Sequence, residues 1–267
     1  MERYPSLNAK WLTAKREDQI PVVFLHGFLG TKQTWSAVAE EMGRPAMAVD
    51  LPGHGSTPSI EGEGPWFEAT IERFIAVLDQ QGVSAVDLVG YSLGGRIAAL
   101  VAQKYPSRVR RLVLESSHLG LANPQDRKDR QQSDQAWSQR FASDWPQVLQ
   151  AWYEQPIFQS NRAFRESLIQ EIASQNPNRL SKALVGFSLG HQEPIERLDH
   201  PVLYVTGSLD HKYEQLGRLY AQHHRAAQGL QTVFIHESIG GAGHNVHLEQ
   251  PGTYLSRVRN FLNQDHI

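Results

Sequence analysis

The chain contains no cysteine in 267 residues. That removes disulfide frameworks, thiolate nucleophiles and thiolate metal sites from consideration. Charge of one sign is also missing in excess: 26 basic side chains stand against 28 acidic ones, so no global field draws the chain to nucleic acid or to an anionic membrane. No apolar run approaches the length of a membrane span, and Met1-Glu2-Arg3-Tyr4-Pro5 lacks the apolar core of a secretory leader. The expectation is a cytoplasmic protein with no nucleic-acid partner and no membrane insertion. Internal repeats and low-complexity tracts are absent too. With 40% apolar and 20% charged residues, the composition is that of a globular protein long enough for one large α/β domain with an insertion.

Short apolar runs alternate with helical periodicities. Ile20 to Leu25, Ala46 to Leu51, Val86 to Tyr91, Val109 to Glu115, His200 to Gly207 and Leu230 to His236 read as buried strands. Ala9 to Ala14 reads as an edge strand. Between them, Thr34 caps an expected helix bearing Trp35, Val38, Ala39 and Met42, and Phe67, Ile71, Phe74, Ile75 and Leu78 recur at helical spacing. Tyr254, Leu255, Val258, Phe261 and Leu262 give a closing helix. Strand-helix alternation predicts a right-handed, mostly parallel sheet with helices on both faces. The rhythm stops from residue 118 to 190, where only helical patterns remain: Trp137 with Phe141, the run Val148-Leu149-Trp152-Tyr153 after Pro146, Phe164-Leu168-Ile172, and Leu180-Leu184-Phe187. Residues 1–117 and 191–267 are therefore expected to form the core and 118–190 a helical lid, since ligands bind where loops leave the carboxyl ends of strands. A helical bundle without a gating role is the alternative.

The chemistry centres on Gly90-Tyr91-Ser92-Leu93-Gly94, a strand, sharp turn and helix with a serine at the apex. Small residues flank it because the turn leaves no room for side chains. Three side chains then stand at the carboxyl ends of three expected strands: Ser92, Asp210 and His244. A serine hydroxyl needs a base to accept its proton; an imidazole titrates in the right range, and a carboxylate fixes its tautomer. Glu115, also at a strand end, competes with Asp210 for the acid's place. His236 and His247 compete with His244, which the tight Gly241-Ala242-Gly243 stretch favours. His244 and His247 have no thiolate or glutamate motif beside them that would make them a metal pair, so no metal is expected. His26 and His54, inside glycine-rich turns, read as loop organisers. The N–H groups of Leu93 and Phe28 are placed to hold a developing oxyanion. Arg96, one helical turn after Ser92 in an otherwise apolar run, is costly there unless it meets an anion; a planar guanidinium suits a carboxylate. Arg127, Arg130 and Arg140 are further cations in the insertion. Together they point to a small acidic substrate.

The serine, acid, histidine order is that of the α/β-hydrolase fold. His26-Gly27-Phe28-Leu29-Gly30, Asp50-Leu51-Pro52-Gly53-His54-Gly55, the elbow with Arg96, Thr206 to Lys212 and Gly243 to Glu249 specify more. With Gly120-Leu121, Arg127 to Arg130, Ser133-Asp134, Trp137, Gln139-Arg140-Phe141 and Trp152 to Pro156, the chain resembles the 2-succinyl-6-hydroxy-2,4-cyclohexadiene-1-carboxylate synthases of menaquinone biosynthesis over nearly its whole length. The resemblance implies a lyase without cofactor that removes a proton beside a succinyl ketone and expels pyruvate. It implies Ser92 as base with His244 and Asp210 behind it, and Phe28 and Leu93 as the oxyanion hole. Arg96 and Arg130 would hold carboxylates, and Tyr91, Trp152 and Tyr153 would shape the pocket. One departure stands out: Leu168 to Ser174 holds no arginine where the family often carries a third, and Arg165 or Arg179 could substitute. Two alternatives stay open: a serine hydrolase of an acidic ester or vinylogous C–C bond, and a binding protein without catalysis. The residues do not set an oligomeric state.

Overall fold

The apolar runs become strands of a single sheet in the computed structural model, which describes residues 6–62, 64–226 and 233–264. The strands are β1 (Asn8–Trp11), β2 (Val22–Leu25), β3 (Ala46–Asp50), β4 (Val86–Tyr91), β5 (Val109–Glu115), β6 (Val202–Gly207) and β7 (Phe234–Ile239). They lie in the order β1-β3-β2-β4-β5-β6-β7. All pairings are parallel except that of β1, an antiparallel edge strand on β3. Every residue of β2, β3, β4 and β6 is buried, which is why these segments read as continuous apolar runs and not as alternation.

Helices cover both faces. The set is α1 (Ser36–Met42), α2 (Phe67–Gln80), α3 (Leu93–Lys104), α4 (Pro124–Ser143), α5 (Gln147–Tyr153), α6 (Arg165–Ala173), α7 (Pro177–Gly186), α8 (His211–Ala226), α9 (Val246–Glu249) and α10 (Pro251–Leu262). Val23, Leu25, Leu88 and Leu112 pack against α2 and α3 on one face. Val22, Phe24, Val89 and Val113 pack with α1 and α10 on the other. The fold class expected from the sequence is the one observed. Among the described residues no helix is long and apolar enough to cross a membrane.

Between β5 and β6 the chain is helical, with α4 to α7 and 3-10 turns at Pro156–Ala163 and Leu189–His191. These helices share an apolar cluster built on Phe141, Val148, Leu149, Ile172 and Leu180, joined by Leu29 from the loop after β2. α4 is almost entirely polar, so its start depends on local chemistry. Asn123 Oδ1 accepts the Gln125 N–H at 2.8 Å, and Pro124 occupies the first turn, where its missing N–H costs nothing. Gln175, after α6, accepts the Gly55 N–H at 3.1 Å and donates to the Leu29 carbonyl at 2.7 Å. One side chain thus ties the helical segment to both glycine-rich loops of the sheet.

Local expectations change at the first helix and at the last strand. Thr34 does not cap α1; it forms a reciprocal capping box with Thr31 at a preceding 3-10 turn, Lys32–Trp35, so the helix starts at Ser36, one residue later than a Thr34 cap would set. The last strand begins at Phe234 and runs to Ile239, because its pairing with β6 continues to Gly207 opposite Ile239. Residues 230–232 of the expected strand lie outside the described residues. The 3-10 turn at Pro156–Ala163 has no periodicity that sequence could expose.

Candidate active site

Ser92 sits between β4 and α3 with φ 49°, a left-handed conformation that a side-chain-bearing residue adopts only under constraint. The constraint is packing. A Cβ on Gly94 would lie 2.2 Å from the Leu25 carbonyl oxygen, and one on Gly90 would lie 2.5 Å from the Gly94 backbone. Glycine therefore lets helix α3 start directly against β2 and β4, and the serine is turned out at the top. The Ser92 N–H donates to the Glu115 carbonyl at 2.8 Å.

Asp210 and His244 arrive on adjacent loops. The Ser208 and Leu209 amides donate to Ile239 and Ala242, both at 2.9 Å, so the exit of β6 and the loop after β7 are laced together. Asp210 Oδ2 then accepts from His244 Nδ1 at 2.6 Å. That bond leaves Nε2 as the acceptor facing Ser92 Oγ, 3.2 Å away. Asp210 and His244 are buried at 5% and 2% exposure. Tyr213, Tyr91 and Phe158 surround the imidazole, with ring centroids 4.8, 5.3 and 5.8 Å away. Phe158 comes from the helical segment. Phe28 and Leu93 line the same cavity, and among the described residues neither main-chain N–H has a hydrogen-bond partner.

The rivals also find places. Glu115 accepts the His247 Nδ1–H at 2.8 and 2.9 Å, so the competing acid and the competing histidine pair with each other. His236 Nε2 meets Thr206 Oγ1 at 2.9 Å. His26 Nε2 accepts the Leu51 N–H at 2.9 Å, and its Nδ1 donates to the Gly27 carbonyl. Burial lowers its pKa, and lowers that of His54 still further. Among the described residues no group of histidine and acidic side chains could hold a metal ion.

The cavity above the three residues has a volume of about 560 Å³. Arg96 enters it at 7% exposure. Its Nε donates to Gln192 Oε1 at 2.8 Å, and the Phe67 ring lies 4.9 Å from its Cζ. Its Nη2 is buried with no hydrogen-bond partner. Burial, with the like charge of Arg130 nearby, pulls this guanidinium down from 12.5 to about 9. Such a shift marks a cation short of an anion. Arg130 lines the cavity too; its Nε donates to Asp134 at 2.8 and 2.9 Å, leaving its Nη groups without an acceptor among the described residues. Tyr91 donates its hydroxyl to Asn245 Oδ1; burial and the nearby Glu115 charge hold that hydroxyl protonated. Trp152 packs on Phe28 at 5.2 Å, and Tyr153, whose hydroxyl burial pushes up, lines the cavity beside it.

Other cations from the sequence are engaged elsewhere. Arg127 pairs with Glu193 at 2.5 Å, Arg140 stacks over Trp137 at 4.5 Å, and Arg179 donates to the Thr57 carbonyl. Arg165 does not line the cavity, and at the α6 end Leu168, Glu171 and Ile172 do. Neither expected substitute for a third arginine reaches the site. Sequence reasoning did not assign Lys212, which adds positive potential beside Arg96 and Arg130, or His118, which lines the same cavity. Burial first, then Lys212, Arg96 and Arg130, lower His118 to about 4; Lys212 is lowered by burial and by Arg130. The position of Lys212 two residues after Asp210 was a usable signal. Gln192 offered none.

The alpha/beta hydrolase family matches residues 22–257. The 2-succinyl-6-hydroxy-2,4-cyclohexadiene-1-carboxylate synthase of Yersinia pseudotuberculosis serotype O:1b (strain IP 31758) is 36% identical over 251 residues, 91% of this chain and 87% of the relative. The same-named enzyme of Yersinia pestis matches with the same identity and coverage. Among solved structures, MenH from S. aureus superposes with a TM-score of 0.85 at 26% identity, over 95% of this chain and 97% of the other. An esterase from Thermogutta terrifontis superposes at 0.79 with 22% identity over 98% and 94% of the two chains, which is a likeness of fold.

Proposed function

We propose, for a chain that belongs to the alpha/beta hydrolase family and within it to the 2-succinyl-6-hydroxy-2,4-cyclohexadiene-1-carboxylate synthases, that Ser92 works as a base and not as an acyl nucleophile. The enzyme is a lyase of menaquinone biosynthesis. It eliminates pyruvate from 2-succinyl-5-enolpyruvyl-6-hydroxy-3-cyclohexene-1-carboxylate, giving the 2,4-diene.

The reaction removes a C–H proton beside the succinyl ketone, shifts the ring double bond and breaks the C–O bond to the enolpyruvyl group. In our reading His244 Nε2, 3.2 Å from Ser92 Oγ, takes the hydroxyl proton as the oxygen takes the proton from carbon. Asp210, 2.6 Å from Nδ1, stabilises the imidazolium. The Phe28 and Leu93 amides hold the enolate oxygen, a preorganised contribution worth about 2.7–4 kcal/mol per donor elsewhere. As the enolate electrons return, the enolpyruvate leaves and takes a proton, which the imidazolium can supply, to become pyruvate.

The observation that carries elimination over ester hydrolysis is Arg96, buried, unpaired on Nη2 and one helical turn from Ser92. The substrate carries three carboxylates, and Arg96 with Arg130 would bind two of them. Tyr91, Trp152 and Tyr153 would shape the apolar wall. Residues 118–190 would act as a lid over the core of 1–117 and 191–267, and cytoplasmic residence is part of the same proposal, since a triply charged substrate is met in water. The test supplies the enolpyruvyl cyclohexene and follows pyruvate release together with diene absorbance. Wild type should show both and Ser92→Ala neither. No pyruvate release, alongside fast turnover of aryl esters through a trappable acyl-serine, would overturn the reading.

A further inference from the structure

Glu115 and His247 are the most deeply buried charged and titratable pair beside the site, at 0% and 1% exposure, and the elimination makes no use of them. We propose that Glu115, acting through His247, is a positioning residue that sets the register between the serine elbow and the histidine loop.

One residue reaches both halves of the machinery. The Glu115 main-chain carbonyl accepts the Ser92 N–H at 2.8 Å. Its carboxylate accepts the His247 main-chain N–H at 3.1 Å and the His247 ring Nδ1–H at 2.8 and 2.9 Å. His247 lies three residues after His244, at the start of α9, so Glu115 joins the loop of Ser92 to the loop of its proton acceptor directly. The ring is fixed by its surroundings, stacked on Trp35 at 4.4 Å and edge-on to Tyr91 at 5.0 Å. Tyr91 also touches His244 at 5.3 Å and holds Asn245 through its hydroxyl. Glu249 shows the contrast. It accepts the Gly243 and Asn245 amides at 2.8 and 3.2 Å and so shapes the histidine loop from within. The link matters because misplacing reacting groups by about 1 Å can cost on the order of 100-fold in rate.

The test uses the full chain and three variants, with two readouts. One is pyruvate elimination, split into kcat and KM. The other is the rate at which an aryl fluorophosphonate labels Ser92, which depends on the Ser92–His244 register whether or not the chain releases pyruvate. His247→Phe keeps a ring against Trp35 but removes the donor; kcat and labelling rate should both fall roughly 10- to 100-fold with KM within about twofold. His247→Asn, whose amide N–H can replace Nδ1–H, should recover most of both. Should the phenylalanine variant fail to fold, Glu115→Gln carries the test: an amide oxygen still accepts the main-chain N–H, and the ring can change tautomer to accept from the amide N–H. Both rates should then stay within about threefold of wild type. Full-speed labelling in a folded His247→Phe, equal losses in phenylalanine and asparagine variants, or a tenfold loss in Glu115→Gln would each overturn the proposal. Loss of pyruvate release with labelling behaving as expected would fault the lyase reading alone.

Discussion

At the level of single residues, the proposed carboxylate site rests on how Arg96 is oriented. Its planar fork is aimed by one hydrogen bond, from Nε to Gln192 Oε1 at 2.8 Å, and Gln192 is itself 2% exposed. A hydrogen bond to a charged group contributes about 1.5–3 kcal/mol. Gln192→Leu should therefore raise KM for the tricarboxylate substrate roughly 10- to 100-fold, with kcat changed less than about twofold. Initial-rate kinetics on the substrate and on a neutral aryl ester check this; equal damage to both would mean Gln192 merely supports the fold. Ser92, Asp210 and His244 could be found from the sequence because each stands in the loop or turn that leaves a strand, and strand exits are local features. Gln192 could not. It lies 96 residues from its partner, in a turn with no periodicity, and only folding brings the two together. The same holds for Glu115 and His247, 132 residues apart, which read as competitors in the sequence and are partners in space.

Among the elements, the elbow between β4 and α3 has the least tolerance. Gly94→Ala would place a Cβ 2.2 Å from the Leu25 carbonyl oxygen, and backbone cannot step aside as a flexible side chain can. A loss of about 3 kcal/mol or more is expected, read as a shift of the urea midpoint with little folded protein at high denaturant. Gly252→Ala, in α10 where nothing lies within 4 Å, is the matched control and should stabilise by about 0.4–1 kcal/mol. Legibility at this scale follows burial. β2, β3, β4 and β6 are buried on both faces and announce themselves as apolar runs. The end of β7 includes Glu237 and Ser238 on a partly exposed edge strand, so its polar residues look like loop. The helical segment was readable where it packs, as at Phe141 and Leu180, and unreadable at the 3-10 turn that carries Phe158 onto His244.

For the molecule as a whole, buried histidines set the response to acid. His118 falls from 6.5 to about 4, and His26 and His54 are lowered by burial as well. Each is held neutral in the fold and protonates more readily when unfolded. Stability is thus full above about pH 6.5 and is lost as pH falls toward 4; His118 alone accounts for on the order of 3 kcal/mol. Urea unfolding at pH 7, 5.5 and 4.5 should show this decline, and His118→Gln should flatten it over that window. A decline unchanged by the substitution would assign the effect to other groups. The near-even balance of charge, legible from composition, said nothing of this local cation cluster, because clustering is a property of the fold. The apolar cluster that α4 to α7 share has a historical corollary. Mutations that drift through that segment can remodel what is admitted while the strands holding serine, acid and histidine stay fixed. Lineages sharing this sheet are free to change what they admit by rewriting one inserted stretch, while Arg96, on α3, stays with the sheet.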